Sequence, residues 1–80
     1  MSIDRLRGVF REVFESPALE ISPATTASDV PGWDSFNHIN LVIAIETAFG
    51  VRFTTKEIAD VANVDDLVTL LRAKGCDVQW

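Results

Sequence analysis

The 80-residue chain has no tyrosine and only one cysteine, one histidine and one methionine. A single thiol, Cys76, excludes an internal disulfide. One histidine and one cysteine fall short of the ligand set of a zinc site. Three prolines and four glycines are too few for a low-complexity segment. No apolar run approaches the roughly 18 residues of a membrane span. The start, Met1-Ser2-Ile3-Asp4-Arg5, carries no apolar signal stretch, so a cytoplasmic protein with no membrane partner is expected. Lysine and arginine are absent from residues 12–51, which hold six acids, while the remaining positions sum to +1. With a net charge of −5 and a pI near 4.5, nucleic acid is excluded as a direct partner, because its binding rests on neutralising phosphates.

What is present suits one small globular domain, residues 1–80: 48% hydrophobic and 24% charged residues, too apolar for a disordered tail. Ile3, Leu6, Val9, Phe10, Val13 and Phe14 recur at helical spacing. They predict an amphipathic helix over about 3–15, with Ser2 as N-cap and Arg5, Arg7 and Arg11 on the wet side. Gly8 in its interior costs about 1 kcal/mol relative to alanine, which suggests a close backbone neighbour. Ser16-Pro17, Ser22-Pro23 and Pro31-Gly32 then break the pattern. The resulting long loop must be packed down by its own Leu19, Ile21, Val30 and Trp33.

A second helix is expected from Asp34 or Ser35 to Gly50. Leu41, Val42, Ile45, Ala48 and Phe49 share its broad core side, and Phe36, Ile39 and Ile43 form a separate stripe. Thr54-Thr55-Lys56-Glu57 fits a capping box that opens a short third helix to about Asp60. Asn63-Val64-Asp65-Asp66 opens a last helix to about Ala73, ended by Gly75. Residues 76–80 read as a frayed tail in which Cys76 has no task. The fold class is therefore all-α: a bundle of three longer helices and one short one, with a long loop after the first.

In that frame Gly32-Trp33-Asp34-Ser35-Phe36, followed by an apolar helix ending Phe49-Gly50, resembles the acyl carrier proteins over residues 3–74. Their signature is Asp-Ser-Leu at the start of the second helix, and here Phe36 stands in the leucine place. The resemblance implies a non-enzymatic carrier, free-standing and monomeric, with a 4′-phosphopantetheine arm on Ser35. It also implies that Asp34 helps a phosphopantetheinyl transferase recognise the site. The stripe Phe36, Ile39 and Ile43, together with Glu46, would meet the loading ligase and later transferases. In the family several acids usually line this helix. Asn37, Asn40 and Thr47 replace them here, which points to a specialised biosynthetic pathway rather than routine fatty-acid synthesis.

The residues leave other readings open. An aminoacyl or peptidyl carrier would share every feature above, and a plain helical interaction module would share the fold. Asp34, Ser35 and His38 contain the residue types of a hydrolase, but nucleophilic catalysis needs a base bonded to the serine and an enclosed pocket. His38 reads instead as a surface polar residue beside the arm. The chemistry at Ser35 is favourable in itself: the free N–H groups and the dipole of a helix N-terminus attract an anion such as a phosphodiester.

Overall fold

The computed structural model describes residues 3–80. Four α-helices follow one another: α1 (Ile3–Val13), α2 (Ser35–Phe49), α3 (Thr55–Ala59) and α4 (Val64–Ala73). A single 3-10 turn, Ala27–Asp29, interrupts the long loop between α1 and α2. The expected N-cap at Ser2 lies outside the described residues. The all-α bundle with three longer helices and one short helix matches the sequence reading.

Each helix ends for a local reason. Asp34 caps α2 by accepting the Asn37 N–H at 2.8 Å. Gly50 closes it with φ 68°, a left-handed conformation that costs glycine nothing. The capping box at α3 forms as read: Glu57 accepts the Thr54 N–H at 2.8 Å, and Thr54 accepts the Glu57 N–H at 3.1 Å. Asn63 caps α4 through the Asp66 N–H. The first helix stops earlier than expected. Glu15 takes a positive φ of 50°, and Ser16 N–H returns to the Arg11 carbonyl at 2.9 Å, a C-terminal cap built without glycine.

The core joins one face of each long helix: Leu6 and Phe10 of α1, Leu41, Ile45 and Phe49 of α2, and Val64, Leu67, Val68 and Leu71 of α4. The loop is drawn onto it as expected, with Ile21, Val30 and Trp33 buried and Leu19 packed alongside. What holds the loop in register was not visible in the sequence. Arg11 donates to the Leu19 carbonyl at 2.8 Å and pairs with Glu20, which Arg7 also approaches. The first amides of α4 close the other end, Val64 N–H on the Thr25 carbonyl and Asp65 N–H on the Pro23 carbonyl. These bonds satisfy helix-terminal donors that would otherwise need water. The arginines assigned to the wet side are thus straps.

Two expectations are corrected. The tail is not frayed: Cys76 and Val78 are buried in the core, Ile3 N–H donates to the Gln79 carbonyl at 2.7 Å, and Arg72 donates to the Val78 carbonyl at 2.8 Å. A β-branched side chain two residues beyond a buried cysteine gives the tail enough apolar surface to dock beside α1. Gly8 has no close backbone neighbour, since a Cβ built there would meet nothing within 4 Å.

Candidate functional site

The first residue of α2 is Ser35, and the chain delivers it in a fixed pose. Pro31 and Gly32 (φ 88°) turn the backbone, Trp33 anchors the turn in the core, and Asp34 caps the helix. The indole packs edge-on against Phe10 with ring centroids 5.4 Å apart, and Phe14 lies 6.0 Å away. A second strap runs back from the helix: Asn37 donates its side-chain amide to the Gly32 carbonyl at 2.6 Å. Because Asp34 takes the capping role, the Ser35 hydroxyl is not consumed by the helix end, and the residue is exposed. An anion joined to that oxygen would sit over the N-terminal dipole of a 15-residue helix.

A cleft of about 480 Å³ opens beside Ser35 and is lined by Ala27, Trp33, Asp34, His38, Ile39, Val61 and Ala62. The residues present therefore suit a covalent arm: an accessible nucleophilic oxygen, a favourable field and a surface against which a chain can lie.

His38 is not the surface residue expected. It is half-buried, stacked on Trp33 with centroids 6.0 Å apart. Its Nδ1 accepts the Trp33 indole N–H at 3.0 Å, and its Nε2 faces the Ile58 carbonyl of α3 at 3.1 Å. Both ring nitrogens are engaged away from Ser35, so the hydrolase arrangement is not assembled. Trp33 and His38 at five-residue spacing carried a signal, an indole donor and an imidazole acceptor across a helix start, that sequence reasoning missed.

The partner-facing expectations separate. Phe36, Ile39 and Ile43 are 75%, 49% and 55% exposed, whereas Leu41, Val42, Ile45 and Phe49 are buried. Glu46 is different: half-buried, it accepts the Phe53 N–H at 2.8 Å and ties the α2–α3 link to α2.

The bundle thus presents an exposed serine at a helix start, with a cleft beside it and an exposed apolar stripe along the same helix. Residues 4–71 match the phosphopantetheine attachment site family, and the chain belongs to that family, whose cofactor is a covalent 4′-phosphopantetheine arm. The chain is 31% identical over 71 residues to acyl carrier protein 3 of Ralstonia nicotianae, covering 89% of this chain and 82% of the relative. Its fold is similar to the solution structure of a holo acyl carrier protein from Geobacter metallireducens, with a TM-score of 0.84, 33% identity, and 90% and 83% of the two chains covered. Among the described residues no helix is long and apolar enough to cross a membrane.

Proposed function

We propose that Ser35 is the attachment residue and that the protein carries acyl intermediates as thioesters for a dedicated biosynthetic pathway. The observation that carries the reading is the exposed Ser35 hydroxyl at the α2 N-terminus, left free of capping by Asp34. In the loading reaction the Ser35 oxygen bonds to the phosphorus of the pantetheine phosphate of coenzyme A. The pyrophosphate bond breaks, the adenosine bisphosphate half leaves, and the hydroxyl proton passes to a base of the transferase. The arm, once bound, supplies the thiol that holds cargo. The chain's own residues give it a fixed root, a favourable field and a recognisable face.

Phe36, Ile39 and Ile43 form that face, and its charge supports a partner other than the basic docking surface that an acidic helix would attract. Asn37, Asn40 and Thr47 leave α2 neutral along this side, and Glu46 is drawn to the Phe53 N–H. Partner enzymes then dock chiefly by apolar contact with Phe36 and Ile39, with any contribution from Glu46 limited to the carboxylate oxygen not on Phe53. An aminoacyl cargo is the second reading; charging by an amino-acid-adenylating ligase rather than by an acyl ligase would establish it.

Intact mass after incubation with coenzyme A and a broad-specificity phosphopantetheinyl transferase tests the assignment. The wild type gains one arm, and Ser35→Ala gains none while keeping its helical circular dichroism. A Ser35→Ala protein that still gains an arm would show that another residue is the attachment point.

A further inference from the structure

Ser35 opens α2, and the first turn of a helix is where it frays, because its N–H groups lack acceptors within the helix. What holds this turn comes from the residues on either side of the serine. Two side chains reach back over Asp34 and Ser35, each across five residues. Asn37 donates to the Gly32 carbonyl at 2.6 Å, and His38 Nδ1 accepts the Trp33 indole N–H at 3.0 Å. The Gly32 carbonyl also accepts the Asp34 N–H at 3.0 Å, and Asp34 in turn caps the Asn37 N–H. The far ends of the two straps differ. Asn37 is tied to loop backbone at the exposed surface. His38 is tied to the core, because Trp33 is buried against Phe10 and Phe14. Since Nδ1 accepts, the imidazole proton lies on Nε2 and is donated to the Ile58 carbonyl of α3. Asp34 by itself supplies the N-cap, so neither strap is needed to start the helix. What the pair adds is a fixed angle between loop and α2 at the point where Ser35 projects.

We propose that Asn37 and His38 are positioning residues for attachment of the arm: together they hold Asp34 and Ser35 in the pose that a phosphopantetheinyl transferase must meet. The inference rests on the carrier reading of Ser35. In the loading reaction the Ser35 oxygen bonds to phosphorus, adenosine bisphosphate leaves and the hydroxyl proton passes to the transferase. Neither Asn37 nor His38 takes part in that bond change. Their effect is on the free protein. Where the turn wanders, only a fraction of molecules present Ser35 in the competent pose, and the apparent affinity of the enzyme for the carrier falls by that fraction. Once the complex has formed, the pose is the same and the chemical step proceeds as before. Loss of a strap therefore raises KM for the carrier and leaves kcat unchanged. Loss of a group that acted in the bond change would instead lower kcat.

The test begins with ¹⁵N relaxation of the full chain before any arm is attached. In the wild type the Asp34 and Ser35 amides should be as rigid as the middle of α2, with order parameters of about 0.85. In Asn37→Ala and in His38→Ala they should fall toward the roughly 0.6 of a mobile segment, while the α4 amides keep their values. Loading kinetics follow, with coenzyme A and a broad-specificity phosphopantetheinyl transferase. Each alanine variant should raise KM for the carrier roughly tenfold at unchanged kcat. His38→Gln, which keeps an acceptor for the indole and a donor for Ile58, should restore both the order parameters and KM. Asn37→Ala removes a bond at the surface and carries the test alone if His38→Ala does not fold. Unchanged order parameters at Asp34 and Ser35 in the folded variants, a KM within about twofold of wild type, or a fall in kcat at constant KM would overturn the assignment. A wild type that gains no arm, read by intact mass, would overturn the carrier reading beneath it.

Discussion

Gly8 and Glu15 show how a residue can sit where its backbone preferences do not favour it. Glycine in a helix interior loses more conformational freedom than alanine, and in α1 no neighbour requires the missing Cβ. Gly8→Ala should therefore stabilise the fold by up to about 1 kcal/mol, which raises the melting temperature by about 4–8 °C in a domain of this size. Calorimetry of the two proteins is sufficient, and an unchanged or lower melting temperature would show that Gly8 answers to something other than packing within this chain. At Ser35 the reverse holds. The residue is poorly buried, contributes little to the core, and is placed by neighbours that the sequence does mark: Gly32 for the turn and Asp34 for the cap. His38 lies between these cases. Its identity was legible, but its role depends on Trp33 in the loop and Ile58 in another helix, and no local pattern joins the three.

Among the elements, α2 carries two apolar faces, which spacing separates and burial explains. Leu41→Glu would place a charge among fully buried side chains at a cost of about 3–5 kcal/mol and should leave the protein largely unfolded. Ile39→Glu, on the exposed stripe, should change stability by only about 0.5 kcal/mol while weakening loading by partner enzymes. Thermal melts and loading rates measured together check the pair, and equal destabilisation by both would assign Ile39 to the core. Helix α3 gives an acid response. The Thr54 backbone N–H, followed by the Lys74 ammonium, holds the Glu57 carboxyl below its ordinary value of 4.5. A depressed carboxyl contributes stability above its unfolded value and loses it as pH falls through the lower folded value. Below about pH 4.5 the α3 cap should begin to loosen before the long helices melt. The protection factor of the Thr54 amide should fall there, and one that stays level with those of the α4 amides through that range would contradict it.

Over the whole molecule the C-terminal segment closes the structure. Val78 is fully buried and the Gln79 carbonyl receives Ile3 N–H, so the last residues join the first helix to the last. Removing residues 76–80 should cost about 2 kcal/mol or more, from the buried valine alone on the usual scale for such side chains. Urea denaturation of the shortened and full chains checks this, and equal midpoints would mean the tail adds nothing. The helices, their N-caps and the exposed serine that opens α2 follow from local pattern, because an N-cap, a capping box and a period of 3.6 involve residues only three or four apart. The loop straps of Arg7 and Arg11, the docking of the tail, the use of Glu46 on Phe53 and the Trp33–His38–Ile58 chain do not. They join residues distant in sequence, and an exposed arginine or a short apolar tail has the same local pattern whether it meets water or a partner. The sequence alone determined which segments are helical and where the serine is presented. Only the packing of α1, α2 and α4 around a shared core decided which polar side chains and which terminal residues would be close enough to bond.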